Sequence, residues 1–491
     1  MPKVLSALVA PALATYCLLS GCGGGSSDST SSSSSSTSSS SSSTSTTSTS
    51  GTSCGLQDST NSALGTAVDV YTSGSNTLSS PTVEATSANE SAICVENSGT
   101  SLTLTDPTIT TSGAASNLND ASFYGMDAAV LAYGSSSTTA SGGSITLTGG
   151  SITTTGQGGN GVFASGDGAT VTLSDTTINA SGANAHGLDA AYGGVLNIDD
   201  VTATTSGSSS SVIATDRGGG TVTVKGGTYT SSGTKSAGIY STGTITVTDG
   251  SFTAGDAEAA VVEGANSLSI TGATLTSSDG DDRGIFLYQS TSGDSSEGTS
   301  SFSMTDGSIT YSCSTSSCSS GDTSTGQNNP ATLFSIANTT ADIVLTGVTV
   351  TNNVDTLLTA EALYSGTWGT AGSNGGLVTF TAAATALTGN VIVDDISTAA
   401  VSLTNGSTLK GAINSADTGK TVALTLDSTS TWTVTANSYL TTLSGAQISG
   451  TTITNIIGQG YTVYYVSADN SSLGGATYTL SGSSGGQLVP K

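Results

Sequence analysis

The ten residues TVTVKGGTYT at positions 221–230 contain two alternating segments separated by a pair of glycines. Residues 221–224 alternate between polar and apolar, which is typical of a β-strand with one buried face. The glycine pair favours a tight turn, and the alternation then resumes over residues 228–230. The stretch therefore predicts two short strands joined by a single turn.

The same arrangement recurs nine times along the chain. An apolar anchor is followed, four and six residues later, by hydroxyl or amide side chains that flank another apolar residue. The anchors are Leu104, Leu147, Leu173, Ile198, Val224, Val247, Ile270, Met304 and Leu345. The pairs that follow them are Thr108 and Thr110, Ser151 and Thr153, Thr177 and Asn179, Thr202 and Thr204, Thr228 and Thr230, Ser251 and Thr253, Thr274 and Thr276, Ser308 and Thr310, and Thr349 and Thr351. Such repetition indicates units that bury their apolar faces only by stacking on their neighbours.

A further short segment after a glycine completes each unit, as in the segments that begin at Gly161, Gly187, Gly238 and Gly284. Three strands and three turns fit the 23 to 26 residues that separate successive anchors from Leu147 to Ile270. The sequence therefore predicts an all-β right-handed parallel β-helix, with about 22–26 residues per coil and coils about 4.8 Å apart. Three longer gaps, after Leu104, Ile270 and Met304, predict loop insertions or degenerate coils. No helix is expected beyond the N-terminal apolar segment.

Composition agrees with this fold and narrows the range of partners. Of the 491 residues only 9% are charged and 5% aromatic, whereas 65 are glycine, so the core must be built from small and β-branched side chains. The formal net charge of -26 comes from 34 acidic and 8 basic residues. A nucleic-acid backbone would be repelled by this charge, so nucleic acid is not an expected partner.

The N-terminus has the features of an export signal. Lys3 precedes a mostly apolar stretch, residues 4–19, which ends in LSGC at positions 19–22. This segment resembles the lipobox of bacterial lipoproteins. The resemblance implies cleavage before Cys22, a diacylglycerol on its sulfur and an acylated amino group. Because Gly23 follows Cys22 in place of an aspartate, the resemblance also implies that the lipid anchors the chain in the outer membrane of a Gram-negative cell. Exposure at the cell surface is compatible with this location.

Composition also divides the rest of the chain. Residues 1–21 are expected to form the signal peptide, and residues 22–53 a flexible tether made almost entirely of serine and threonine. An N-terminal cap with the first coil is predicted at 54–100, the parallel β-helix at 101–446 and a C-terminal β cap at 447–491.

The later coils carry a second resemblance. Leu387 to Val391 and Leu409 to Ile413 are in step 22 residues apart, and Trp432, Val434, Ser438, Leu440 and Leu443 follow them. This spacing is similar to the late passenger region of pertactin-like autotransporters. The resemblance implies stacked β-helical coils, but pertactin-like autotransporters also carry a C-terminal outer-membrane barrel. Because the sequence stops at Lys491 without a barrel, the lipid is expected to serve as the anchor instead.

Four further cysteines predict two disulfides in an exported chain. Proximity in sequence favours Cys54 with Cys94 and Cys313 with Cys318. A zinc site is the alternative, but two thiolates without nearby histidines make a poor ligand set. No metal is expected at the cysteines.

Polysaccharide lyases and hydrolases also use β-helices, and they need carboxylates or an arginine base. The candidate site for such chemistry is Asp279, Asp281, Asp282 and Arg283, and two further acidic pairs are Asp199 with Asp200 and Asp394 with Asp395. Turn capping is the alternative for these aspartates. The single histidine, His186, is expected in a solvated turn.

Few arginines and two tryptophans favour a non-enzymatic protein over a carbohydrate-active one. We therefore expect a cell-surface adhesin or structural display protein, monomeric, that binds a surface glycan or a protein of a host or neighbouring cell. No cofactor is expected. Calcium is the one ion that the acidic surface leaves as a candidate. Ice binding by the threonine pairs is a lesser alternative, because outward threonines also simply suit strands.

Overall fold

The computed structural model describes residues 52–54, 65–134, 141–278, 282–313, 330–363 and 368–491. The predicted signal peptide, nearly all of the tether, Cys22, Asp279, Asp281 and Cys318 lie outside these residues. The described chain is a right-handed parallel β-helix, as predicted. No described helix is long and apolar enough to cross a membrane.

Three long sheets run along the helix, and the chain visits them in the order I, II, III in each coil. Sheet I has 13 strands, namely Thr52–Ser53, Thr66–Tyr71, Glu90–Glu96, Val130–Tyr133, Val162–Ser165, Leu188–Ala191, Ile213–Thr215, Ile239–Ser241, Ala260–Glu263, Arg283–Tyr288, Thr332–Ala337, Thr356–Ala360 and Asn390–Val393. Its strands are parallel apart from the first, which pairs antiparallel with the second.

Sheet II carries the predicted anchors and has 14 parallel strands. They are Ser75–Ser79, Ser101–Thr105, Ser144–Thr148, Thr170–Ser174, Val195–Asp199, Thr221–Lys225, Thr244–Thr248, Ser267–Thr271, Thr299–Thr305, Thr340–Thr346, Leu377–Ala383, Thr398–Thr404, Thr421–Leu426 and Thr442–Ser444. All nine anchors pair in register in one buried column. The column confirms the predicted stacking.

Sheet III contains the hydroxyl pairs. Its ten strands are Thr82–Ala85, Thr108–Thr111, Ser151–Thr154, Thr177–Ala180, Thr202–Thr205, Thr228–Ser231, Ser251–Ala254, Thr274–Ser278, Ser308–Ser312 and Thr349–Asn352. The pairs form two columns in register on the outer face, while the residue between them points into the core. There Tyr229 stacks on Phe252 with ring centroids 4.7 Å apart.

The turns from sheet II into sheet III are each two residues long. Their first residue is often an aspartate or glycine with positive φ, as at Asp200 and Gly226. The carboxylate of Asp200 lies over Gly226 in the next coil, where an added Cβ would approach its Oδ1 to 2.1 Å. The positive φ favours glycine at this turn, and the close approach of Asp200 leaves no room for a Cβ.

The predicted change beyond Asn352 corresponds to a fourth sheet. Sheet IV contains Ala386–Thr388, Thr408–Lys410, Thr431–Thr433, Thr452–Ile457, Tyr478–Ser481, Gln487–Pro490, Thr462–Tyr465 and Ser438–Leu440, with Ile448–Ser449 at its side. Short 3₁₀ helices at Ser467–Asp469 and Ser471–Leu473 lie near its end. Trp432 is fully buried and donates its Nε1–H to the Gly411 carbonyl at 2.9 Å. The tryptophan therefore fills the core and forms a hydrogen bond with the preceding coil.

Candidate functional site

The long insertions among the described residues lie next to sheet I. Residues 112–129 precede one of its strands, residues 289–298 follow another, and residues 361–363 and 368–376 follow a third. The turns between sheets II and III stay short over the same coils. Variation in loop length is thus concentrated along one side of the rod, and insertions on repeat proteins commonly form a binding face.

The first insertion contains a helix that the sequence analysis did not predict. Helix α1, Leu118–Tyr124, begins at Asn117, whose side chain accepts a hydrogen bond from the Asn119 N–H. It ends at Gly125, which has a φ of 76°. Asparagine before the helix and glycine after it are the local signals for these ends. At seven residues the helix is too short to leave a clear periodic pattern.

The second insertion, residues 289–298, is called the sheet I loop. Arg217 connects it to helix α1. The Arg217 Nε and Nη2 both donate to Asp294 Oδ1, at 2.9 and 2.6 Å, and its guanidinium carbon lies 3.9 Å from the centre of the Phe123 ring. Tyr192 stacks on Tyr124 nearby, with centroids 5.1 Å apart. One arginine therefore joins both insertions across the outer face of sheet I.

A buried carboxylate fixes the start of the same loop. Glu263 is 1% exposed, and its Oε2 accepts hydrogen bonds from the hydroxyls of Tyr240 at 2.5 Å and Tyr288 at 2.9 Å. Its Oε1 accepts a hydrogen bond from Ser290 Oγ. These donors satisfy the carboxylate inside the protein and attach the loop to the sheet.

Between helix α1 and this network lies a cluster of three ionisable side chains, called here the acid–histidine cluster. It consists of His186, Asp189 and Asp216, each at most 9% exposed. One nitrogen or carboxylate oxygen from each lies within 4.8 Å of those of the other two. His186 and Asp189 come from one coil and Asp216 from the next, so the cluster joins two coils.

Hydrogen bonds fix the orientation of His186. Its backbone N–H donates to Asn160 Oδ1 at 2.7 Å, and the Asn160 amide donates in turn to the Ala121 carbonyl of helix α1. The His186 Nδ1 lies 3.2 Å from the Ser211 carbonyl oxygen, which can only accept. Burial lowers the pKa of His186 to about 4, so the ring is neutral at pH 7, with its proton on Nδ1 and a lone pair on Nε2.

The prediction of a solvated His186 is therefore wrong, because this ring is 8% exposed. The sequence did not predict the cluster because Asp216 lies one coil after His186 and Asp189. Asp189 follows His186 by three residues, and Asp216 lies about one coil further along. Only the strand register brings these positions together.

The two carboxylates of the cluster are buried at a free-energy cost. Neither oxygen of Asp189 has a hydrogen-bond partner among the described residues. Burial and then the neighbouring Asp216 hold the pKa of Asp189 well above its usual range. Burial, with a further contribution from Asp294, raises the pKa of Asp216 to about 8. A cation placed between them would offset this cost.

Arg283 of the predicted acidic site is buried and paired. Its Nε donates to Glu258 Oε1 at 3.1 Å, and both side chains are 8% exposed. Its guanidinium also covers the Phe286 ring at 4.4 Å. Asp282 is half-buried, and its Oδ1 lies 4.0 Å from the sulfur of Cys313.

The two other acidic pairs occupy surface turns and strand ends. Asp199 forms an exposed ion pair with Lys225 at 3.2 Å, and Asp200 has positive φ at its turn. Asp394 Oδ2 accepts a hydrogen bond from the Ala362 N–H at 2.7 Å, while Asp395 is exposed. The turn-capping interpretation accounts for Asp200 and Asp394.

The disulfide between Cys54 and Cys94 is confirmed, with Cα atoms 6.1 Å apart. It fastens the first described residues to the third strand of sheet I. Cys313 is disulfide-bonded, but its predicted partner Cys318 is not among the described residues.

An open groove of about 800 Å³ lies between the sheet I loop and residues 368–376. Hydroxyl, amide and glycine residues line most of it, together with Glu297 and Leu377. Such a lining offers many hydrogen-bond donors and acceptors. It suits a hydroxyl-rich ligand more than an apolar one.

The chain matches no protein-family model, no curated protein and no solved structure.

Proposed function

We propose that this chain is a lipid-anchored, non-enzymatic β-helix that displays binding loops at the surface of a Gram-negative cell. The observation that carries the proposal is the concentration of the insertions along sheet I, while the turns from sheet II into sheet III keep two residues. A regular stacked core provides a rigid support, and the variable loops beside it provide a place for recognition.

The N-terminal sequence supports the anchor. The apolar stretch that ends in LSGC at positions 19–22 supplies the export signal and the lipidated Cys22, and the Ser/Thr-rich residues that follow it hold the β-helix away from the membrane. Cells that incorporate a fatty-acid analogue are expected to label the wild-type chain. Label that persists in Cys22→Ser would contradict the anchor.

The groove beside the sheet I loop supports a hydroxyl-rich ligand, such as a surface glycan. Thr340 lines this groove and is exposed, so Thr340→Arg places a long side chain in it. Thr223→Arg is the matched control, because it changes an exposed threonine of the same sheet several coils away. In a glycan-array screen, retention by the wild type and by the control, with loss in Thr340→Arg, would support the proposal.

The same screen separates binding from turnover. A carbohydrate-active β-helix is the second candidate, and it would release unsaturated or reducing ends from a retained glycan. Release that disappears in Arg283→Ala, in a sample whose circular dichroism matches the wild type, would overturn the non-enzymatic assignment. The buried ion pair of Arg283 with Glu258 supports a structural role for this arginine instead.

Ice binding is the third candidate, and the two threonine-rich columns of sheet III favour it. Their side chains are exposed or half-buried and repeat at the parallel-strand spacing of about 4.8 Å. Ice binding predicts thermal hysteresis in the wild type and its loss when Thr204 and Thr230 are changed to tyrosine. That result would identify the chain as an ice-binding protein.

A further inference from the structure

The acid–histidine cluster combines ligand types that transition metals prefer. It offers one imidazole nitrogen and two carboxylate groups, all within 4.8 Å of one another. Ligands of a tetrahedral zinc ion lie about 2.0–2.2 Å from the metal, and hence roughly 3.4 Å from each other. Small side-chain rotations would bring His186, Asp189 and Asp216 to this separation.

The surroundings of His186 match those of a metal-bound histidine. Such a histidine usually donates its second ring N–H to a carbonyl or carboxylate, and this hydrogen bond fixes which nitrogen faces the metal. Here Nδ1 faces the Ser211 carbonyl at 3.2 Å, so the lone pair of Nε2 is free to bind. Asn160 accepts a hydrogen bond from the His186 backbone N–H and donates one to the Ala121 carbonyl of helix α1, so it links His186 to that helix.

The carboxylates provide an independent observation. Asp189 is fully buried, and neither of its oxygens has a hydrogen-bond partner among the described residues. Buried carboxylates are normally paired or bound to a cation. The N–H of Arg217 donates to Asp216 Oδ1 at 2.7 Å, but the guanidinium of Arg217 forms its hydrogen bonds with Asp294 and lies on the Phe123 ring. A positive charge at the cluster would therefore satisfy Asp189 and Asp216 together.

We propose that His186, Asp189 and Asp216 bind one divalent transition-metal ion of the zinc class. Mixed nitrogen and oxygen ligands favour such an ion over calcium or magnesium, which prefer six or more oxygens. The ion connects the coil of His186 and Asp189 to the coil of Asp216. It stabilises sheet I beneath the two insertions that Arg217 joins.

Metal binding by the full-length chain tests this proposal. After treatment with a chelator and its removal, titration with ZnCl₂ at pH 7.5 is followed by calorimetry and by elemental analysis of the dialysed protein. We expect one zinc per chain, a Kd below about 1 µM, and a rise in Tm. Millimolar CaCl₂ is expected to leave the zinc in place. Failure of the wild type to retain zinc at one per chain would overturn the proposal.

Asp189→Asn separates loss of the site from loss of folding. The substitution keeps the shape of the side chain but removes its charge, so the zinc-free variant is expected to melt at or above the temperature of the zinc-free wild type. Its zinc affinity is expected to fall at least 100-fold. Asp127→Asn is the matched control, because it changes another buried aspartate outside the cluster and should bind zinc normally. Equal zinc affinity in Asp189→Asn would contradict the proposal.

Cobalt provides a spectroscopic test of the histidine. Co²⁺ bound in place of zinc is expected to give visible absorption that reports nitrogen and oxygen ligands. The band is expected to disappear in His186→Gln, while circular dichroism of the variant stays that of the wild type. A band that is unchanged in His186→Gln would exclude His186 as a ligand and overturn the proposed ligand set.

Discussion

Arg217 donates two hydrogen bonds to a single carboxylate oxygen of Asp294, 77 residues further along the chain. The same guanidinium lies on the ring of Phe123. One side chain thus contacts two of the three insertions beside sheet I, helix α1 and the sheet I loop, and joins segments that the repeat alone would leave independent.

Removal of this link should loosen both insertions. Arg217→Ala is expected to lower the free energy of unfolding by only about 1 kcal/mol, because the arginine side chain is 38% exposed. Amide hydrogen exchange should accelerate by about fivefold in helix α1 and in the sheet I loop. Lys225→Ala, which removes an exposed pair with Asp199, is the control and should change neither segment. Unchanged exchange in Arg217→Ala would show that the contacts do not hold the insertions.

The buried pair of Arg283 and Glu258 should behave differently. Glu258→Gln removes the carboxylate from a guanidinium that is 8% exposed, and is expected to cost about 3–5 kcal/mol in chemical denaturation. The double variant Glu258→Leu with Arg283→Met should recover most of that loss, since no charge then remains buried. A single variant that costs less than about 1 kcal/mol would contradict the structural role given to this pair.

The turn glycine at position 226 should resist substitution. Gly226→Ala places a Cβ near Asp200 Oδ1 and keeps a φ of +66°, so we expect a loss of about 2–3 kcal/mol. Gly74→Ala is the matched control, because Gly74 also has positive φ but has open space around it. It should cost about 1 kcal/mol. Equal losses in the two variants, measured by urea unfolding, would argue against crowding between coils.

Asp127 should make stability depend on pH. Burial is the main cause that raises its pKa from 3.8 to about 7, and the Glu90 carboxylate adds to the shift. Between these values the folded state binds more protons than the unfolded state, so the stabilising contribution of the neutral acid is complete below pH 4 and is lost as pH rises through 7. Asp127→Asn keeps an acceptor for the Glu90 N–H and removes the titration.

The measurement is Tm against pH for the wild type and Asp127→Asn. The wild-type Tm is expected to fall relative to the variant from about pH 4 to pH 7 and to stay level above that range. Asp395→Asn, at an exposed aspartate, should show no such change relative to the wild type. A difference between wild type and Asp127→Asn that does not vary with pH would contradict this account of Asp127.

Most of the fold follows from the sequence because β-helical coils repeat local chemistry. The anchor Leu173 and the outward Thr177 are fixed by alternation and turn spacing within one unit, and stacking then repeats their places in every coil. Helix α1 was not predicted, because its seven residues have capping residues at both ends but no clear helical periodicity. Its place in the fold is set by tertiary contacts such as that of Phe123 with Arg217.

The acid–histidine cluster was harder to predict for a different reason. His186 lies in a turn before Gly187, where most side chains are solvated, yet the ring is 8% exposed. Its backbone N–H is held by Asn160, which donates in turn to helix α1. The approach of Asp216 to Asp189 depends on the exact register between two coils. The charges near Arg283 are adjacent in the sequence, whereas the members of the acid–histidine cluster come together only in the folded chain.

Surface display is the central claim, and protease treatment of intact cells tests it most directly. Cells that produce the wild-type chain are treated with a broad-specificity protease, and the chain is then detected by an antibody against the β-helix. A periplasmic protein serves as the control for cell integrity. We predict that the chain disappears from intact cells while the periplasmic control survives. Survival of the chain in intact cells, together with its digestion after the outer membrane is opened, would contradict surface display and place the β-helix in the periplasm.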